Sequence, residues 1–260
     1  MAASDSLHDV HHDHEHHHHH APPVQAWLKT ALLIGLGLYF AYIILSGNLT
    51  NYINVRFAWL SYIAAGLFLL LGGASAYRLL HENAHEHHHD HDHAHDHSTI
   101  SWRALAVVAV PLVLGTLIPS QPLGAAAVDG EFNTIGGDTA TAFDIAPLDR
   151  KILDWVRLFN ATDDMSVFNG QEIDVTGFVF RSEAYPDDLF MVSRFTISCC
   201  VADSLAIGVP VIWDQDIPPD TWVQVRGRLQ AGDFQGSEQA IIRPERVDIV
   251  QRPEHPYLYP

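Results

Sequence analysis

Two segments of the chain are rich in histidine, and the residue spacing within them suits metal binding. Together they hold all but one of the 19 histidines in the sequence. The members of the first segment are His8, His11, His12, His14, His16, His17, His18, His19 and His20. The members of the second segment are His81, His85, His87, His88, His89, His91, His93, His95 and His97. Acidic residues alternate with the later histidines, which in an extended chain places the imidazoles on one side at intervals of about 6.6–7 Å.

Imidazole nitrogen binds zinc and neighbouring divalent transition metals, and carboxylate oxygens can complete the coordination. Neither segment carries an apolar pattern that would fix one set of ligands. We therefore predict a loosely bound, exchangeable ion of the zinc class rather than a structural or catalytic metal. Other interpretations stay open: solvated low-complexity spacers with incidental affinity, an expression tag in the first segment, and proton sensing by clustered histidines.

Cys199 and Cys200 are adjacent and are the two cysteines of the chain. Neighbouring side chains on a strand point to opposite faces, so both sulfurs can meet one ligand only where the chain turns. Three interpretations stay open. One cysteine fills the core and the other is half-exposed, or both form a thiol or metal site with Asp203, or they form a strained vicinal disulfide. Arg194 is expected to pair with an acid. The sequence has neither a Ser-His-Asp order nor a phosphate loop, so we predict no enzymatic activity.

Three charge-poor apolar runs predict three membrane spans, at residues 24–46, 57–78 and 101–119. A span needs about 20 residues to cross a hydrocarbon core of about 30 Å. The third run is the shortest and contains Pro111, which membrane helices tolerate. Small residues in the first two runs either allow close helix packing or reflect the ordinary composition of membrane helices. These small residues are Gly35, Gly37, Gly66, Gly72, Gly73 and Ala74.

Basic residues beside the spans predict the orientation of the chain. Lys29, Arg78 and Arg103 flank one side of the membrane, and Arg56 is alone on the other. The positive-inside rule then places the His-rich tail (1–23) and the His-rich loop (79–100) in the cytoplasm. The rest of the chain falls on the external face of the inner, or plasma, membrane.

Residues 120–146 are rich in glycine, alanine, threonine and proline and are predicted to link the membrane region to an external domain at 147–260. Short strand-like runs predict a small all-β domain, with glycine bends or bulges at the strand ends. We expect an OB-like barrel, with a small sandwich as the alternative. One preceding helix is predicted from the spacing of Leu148, Ile152, Trp155, Val156 and Phe159. The strand-like runs lie at 172–177, 189–192, 209–213, 222–227, 240–242 and 247–250.

The net charge of −17 argues against nucleic acid as a partner. A protein that binds nucleic acid needs a basic surface to displace counterions from phosphate. The excess of acids over bases persists within residues 129–260, so the predicted OB-like domain is not expected to use the nucleic-acid chemistry common to that fold.

Several strings in the C-terminal half resemble the YcgQ-like family, the small subunit of a two-component bacterial permease. They are Gly170–Glu172, Val175–Val179, Ser193–Phe195, Ile197–Asp203, Gly208–Val211 and Pro256–Pro260. The resemblance implies a separately encoded polytopic permease as partner, within the lipid bilayer. We therefore predict a membrane-anchored accessory subunit that handles or responds to zinc-class metal through its His-rich segments. The alternative is a membrane-tethered binding or scaffold protein of the envelope with no transport role.

Overall fold

The computed structural model of this protein describes residues 23–82, 102–129, 132 and 139–260. Three apolar helices come first: α1 (Pro23–Leu45), α2 (Ala58–Glu82) and α3 (Trp102–Leu117). Both α1 and α2 are long and apolar enough to cross a membrane. The 16 residues of α3 give a length of about 24 Å, less than a hydrocarbon core of about 30 Å. The structure thus confirms two candidate spans, and the third crossing stays a prediction.

Close packing between the helices depends on some of their glycines. A Cβ atom at Gly35, Gly37 or Gly72 would meet a side chain of another helix, whereas one at Gly66 or Gly73 would meet open space. At Gly72 that atom would lie 2.7 Å from the Ile34 side chain and 3.1 Å from the Ile34 backbone nitrogen. The small residues therefore serve helix contact at some positions and not at others.

Five strands form the C-terminal domain and close into a ring. They are β1 (Glu172–Phe180), β2 (Leu189–Thr196), β3 (Leu205–Ile212), β4 (Trp222–Phe234) and β5 (Ser237–Ile249). Around the ring the order is β1-β2-β3-β5-β4, with β4 hydrogen-bonded back to β1. Neighbours are antiparallel except β3 and β5, which are parallel, so the sheet is mixed.

The strands run further than the sequence predicts. We expected strands that end at Gly177 and Gly227, but β1 and β4 continue through both glycines. A register shift lies between Arg226 and Gly227, but the extra residue is Glu245 of β5, so the predicted bulge at Gly227 itself is wrong. Gly227 instead allows a close approach of the strands, because a Cβ there would collide with the backbone of Arg243. The sequence predicted five or six strands, with the runs at 240–242 and 247–250 at the end of the domain. Both runs belong to the single strand β5, whose pairing with β4 continues across the residues between them.

One amphipathic helix packs on the ring. This helix, α5 (Ile152–Asn160), follows a short helix, α4 (Thr139–Asp144), and buries its apolar face in the core around Trp155. The predicted start at Leu148 is wrong. Residues Pro147–Asp149 form a separate 3-10 turn, and Leu148 is exposed. Periodicity misplaced this boundary because the Leu148-to-Ile152 spacing fits a helix although the backbone is extended at Arg150 and Lys151.

Part of the segment predicted as a linker lies against the domain. The backbone N–H of Ala125 donates to the Asp220 carboxylate, and Ala125 itself is buried. The phenyl ring of Phe132 packs edge-on against Phe180, with 5.5 Å between the ring centroids. These contacts give the segment fixed positions on the ring.

Candidate functional site at the junction of helices and domain

The predicted metal ligands lie almost entirely outside the described residues. His81 is the exception: it ends α2, is exposed, and places its ring 4.1 Å from the ring of Tyr77. Within the described residues, no three His, Cys, Asp or Glu side chains are arranged to hold a metal ion. The predicted ligand set from His8 to His20 and from His85 to His97 stays a prediction.

The Cys199–Cys200 pair lies in a tight turn after β2. Asp203 builds this turn, because its carboxylate accepts the backbone N–H groups of Ser198 at 3.0 Å and of Cys199 at 2.7 Å. The two sulfur atoms lie 3.7 Å apart, and both cysteines are free. Cys199 is exposed and Cys200 is half-buried, so the interpretation in which one cysteine fills the core is wrong. The turn directs both side chains away from the core, which a strand could not do.

Local hydrogen bonds suppress ionisation of the first thiol. The hydrogen bond to the Asp203 carboxylate, together with one to the Cys200 sulfur, raises the pKa of Cys199 to about 11. Partial burial acts to raise the pKa of Asp203, but the backbone hydrogen bonds of Cys199 and its neighbours outweigh burial and lower it. The pair therefore consists of a neutral thiol beside a charged carboxylate at neutral pH, which makes Cys199 a poor nucleophile.

The same turn fastens the domain to the loop between α1 and α2. The backbone N–H of Asn54 donates to the Cys199 carbonyl at 3.0 Å, and the N–H of Val201 donates to the Tyr52 carbonyl at 2.8 Å. These bonds form an isolated antiparallel bridge between Ile53 and Cys200. The Asn54 side-chain amide adds a third bond, to the Ser198 carbonyl at 2.8 Å.

Residues near position 257 complete the attachment. The buried Tyr257 hydroxyl donates to the Asn51 carbonyl at 3.1 Å and accepts the Leu123 N–H at 2.9 Å. Burial raises the pKa of Tyr257, so this hydroxyl keeps its proton across the physiological range. Leu258 pairs in parallel with Thr196 at the end of β2. We call residues 51–54, 198–203 and 257–258 the junction.

Arg194 anchors the segment that leads into the junction. Its guanidinium donates to the Pro256 carbonyl at 3.1 Å and to the His255 carbonyl, and it lies 5.4 Å from the centre of the Trp222 ring. The expected acid partner is wrong: of the described residues, no carboxylate lies within 4 Å of this side chain. The backbone carbonyl groups of His255 and Pro256 take the place of the acid, because this segment lies against Arg194.

Sequence reasoning missed the junction as a site. Residues 54 and 198 are 144 positions apart and residues 203 and 257 are 54 positions apart, and no periodic pattern links the three parts. The signal that could have found it is the set of family-like strings, because Ile197–Asp203 and Pro256–Pro260 both supply junction residues.

A pair of membrane-length helices fastened to a five-stranded domain defines a two-part, membrane-associated protein. Residues 28–133 match the DUF1980 N-terminal domain, and residues 148–260 match the DUF1980 C-terminal domain. The chain belongs to this family, the DUF1980 or YcgQ-like family.

Two relatives are similar to the chain over most of their length. One is UPF0703 protein YcgQ of Bacillus subtilis (strain 168), 26% identical over 280 residues, which span 89% of this chain and 98% of the relative. The other, from Streptococcus mutans serotype c (strain ATCC 700610 / UA159), bears the name "Putative two-component membrane permease complex subunit". It is 22% identical over 260 residues, which span 84% of this chain and 93% of the relative.

Proposed function

We propose that this chain is the accessory subunit of a two-component membrane permease. The observation that carries the proposal is the junction, which ties the C-terminal domain to the loop between α1 and α2 through backbone hydrogen bonds. Such an attachment lets a movement of the helices reach the domain, or the reverse. The name of the Streptococcus mutans relative supports the same role.

The composition of the helices supports an accessory role rather than a conducting one. Residues 30–55, 57–77 and 104–118 contain no histidine and, apart from Arg56 between the first two stretches, no charged residue. Ion pathways through membranes use ionisable groups inside the bilayer. In our proposal a polytopic partner supplies the pathway and this chain supplies the domain and the His-rich segments.

We further propose zinc-class metal as the ion that the His-rich segments gather on the cytoplasmic side. Their imidazoles and carboxylates suit such ions. We propose the external side for the domain, because the positive-inside rule applied to Lys29, Arg78 and Arg103 favours the cytoplasm for the side that carries the His-rich segments. We also propose that the ring is an OB-like barrel, because its five strands close in a Greek-key order.

Purification of the tagged full-length chain from native bacterial membranes tests the proposal. We expect a polytopic membrane protein to co-purify in constant ratio, and the complex to carry several zinc-class ions per chain. Replacement of residues 83–98 by a Gly/Ser segment of equal length should remove most of the metal but leave the partner bound. A chain that purifies alone after cross-linking in intact cells contradicts the permease role, and an unchanged metal content contradicts the role of the histidines.

Orientation has its own test. Protease added to spheroplasts should cut the C-terminal domain and spare residues 83–98, and both should be cut after the membrane is opened. Cleavage within 83–98 in sealed spheroplasts reverses the proposed orientation.

A further inference from the structure

A cavity of about 290 Å³ opens beside the N-terminus of α5, on the side of the ring formed by β1. Its walls come from three separate parts of the domain: the turn before α5, the middle of β1, and Arg194 on β2 with the nearby Pro253. The polar residues that line it are Asp149, Arg150, Lys151, Asp174, Thr176 and Arg194. The volume suits a small molecule or ion.

Two of the lining arginines are buried without an acid partner. Arg150 is 7% exposed and Arg194 is 9% exposed. Among the described residues, neither guanidinium has a carboxylate within 4 Å. Arg150 donates to the carbonyls of Ala142 at 3.1 Å and Phe143 at 3.4 Å, and Arg194 has the carbonyl partners given above. Their hydrogen bonds are made to neutral carbonyl groups, so two buried cations lie beside one cavity without a formal negative charge on a partner.

The surrounding charges leave the cavity positive within an acidic domain. Asp174 is already neutralised by Arg226 at 2.7 Å and also accepts from Gln224 at 2.7 Å. Lys151, which is exposed, precedes the first residue of α5 and adds a third cation at the mouth. Asp149 is the one remaining acid of the lining. Asp154 already caps the N-terminus of α5, because its carboxylate accepts the backbone N–H of Lys151 at 2.9 Å, so the positive charge at the cavity comes from the side chains.

Burial also lowers the pKa of both guanidinium groups. It lowers the pKa of Arg194 to about 10, and it lowers the pKa of Arg150 against the opposing charge of Asp154. A bound anion would offset the cost of that burial, because charge-assisted hydrogen bonds to guanidinium are strong where water is excluded.

We infer that this cavity binds a phosphate group, held by the guanidinium groups of Arg150 and Arg194 and by the Lys151 ammonium. Phosphate matches the site because its several acceptor oxygens can meet two forked donors and an ammonium group at once. This inference is independent of the permease role. It would make the domain responsive to a phosphate-bearing solute on its own side of the membrane.

Thermal unfolding of the detergent-purified full-length chain tests the inference. Sodium phosphate and glycerol 3-phosphate are titrated separately, each against sodium chloride at the same ionic strength and pH 7.5. We expect the unfolding temperature to rise with phosphate and not with chloride. A larger response to glycerol 3-phosphate identifies an organic phosphate monoester as the ligand, and an equal or larger response to phosphate identifies the free ion.

Variants decide whether the effect belongs to the cavity. Lys151→Gln, which changes an exposed side chain, should weaken phosphate binding by about tenfold, as expected for one charge-assisted bond. Arg150→Lys keeps the charge but loses the fork, and should weaken binding if the variant folds. Arg243→Gln is the matched control, because it removes one exposed cation of the same domain outside the cavity. No stabilisation beyond chloride, or an equal loss in Lys151→Gln and Arg243→Gln, overturns the inference.

Discussion

The hydroxyl of Tyr257 donates a hydrogen bond to the backbone carbonyl of Asn51, 206 residues earlier in the chain, at 3.1 Å. The same oxygen accepts the N–H of Leu123 at 2.9 Å. One buried phenol therefore joins the loop between two apolar helices, the segment after the third helix, and the last part of the domain.

Tyr257→Phe should lower the free energy of unfolding of the purified protein by about 1–3 kcal/mol, because it leaves the carbonyl of buried Asn51 and the N–H of half-buried Leu123 without this partner. Tyr185→Phe is the matched control. Its hydroxyl is buried and has no hydrogen-bond partner among the described residues, so its removal should cost little. Chemical denaturation in detergent measures both, and equal losses would contradict a special role for the Tyr257 hydroxyl.

Asn54→Ala should loosen the junction while the strands stay intact. The change removes the bond to the Ser198 carbonyl and the cap on the Arg56 N–H at 2.9 Å. We expect a loss of about 1–2 kcal/mol in local stability, seen as faster hydrogen exchange at residues 198–203. Asn48→Ala removes only a bond to the Ser46 hydroxyl and should leave that exchange unchanged. Unaltered exchange in Asn54→Ala would show that the backbone bridge alone holds the turn.

Alkylation of Cys199 should be slow at neutral pH and should accelerate as the pH approaches 11, because the thiolate is the reactive form. In a Cys200→Ser background, Asp203→Asn should speed the reaction at pH 8 by nearly tenfold for each unit by which the pKa falls. Asp216→Asn, in the loop after β3, is the control. Mass spectrometry of iodoacetamide-treated protein gives the rates, and fast modification of Cys199 at pH 7 would refute the raised pKa.

Gly72→Ala should separate α1 from α2, because its new methyl group would meet Ile34. Overpacking of this kind costs about 1–3 kcal/mol. Gly73→Ala, one residue later, meets open space and should be neutral or slightly stabilising, since alanine is the better helix former. The unfolding temperatures in detergent compare the two. Similar temperatures would mean that the helices do not pack through Gly72.

Short-range sequence patterns predicted individual strands of this fold. Alternation around Val175 and Val225 predicted two strands that are paired residue to residue in the ring. The glycine signal predicted an irregularity at Gly227, but the extra residue lies in the partner strand β5. The start of the amphipathic helix was misplaced because Leu148 fits the helical period although the backbone is extended two residues later. The spacing of apolar residues predicts which side chains are buried. It does not predict a short extended segment such as Arg150–Lys151 that separates a turn from a helix.

The junction and the phosphate cavity could not be predicted, for a different physical reason. Both are made by residues distant in sequence, such as Asn54 with Ser198 and Arg150 with Arg194. The side chains of Asn54, Arg150 and Arg194 donate to backbone carbonyl groups. Every residue has such a group, so no residue type in the sequence identifies the acceptor. The expectation that Arg194 pairs with an acid failed for this reason.

The distance along the chain between Asn51 and Tyr257 also sets an order of events during synthesis. At elongation rates of about 5–20 residues per second, about 10–40 s pass between the emergence of the loop and that of its phenolic partner. During that interval the Asn51 carbonyl lacks the hydrogen bond that it has in the complete protein. The helices are therefore synthesised first and the strands later. The hydrogen bond between Asn51 and Tyr257 forms after both, so the loop between α1 and α2 is open to other contacts until synthesis of the domain is nearly complete.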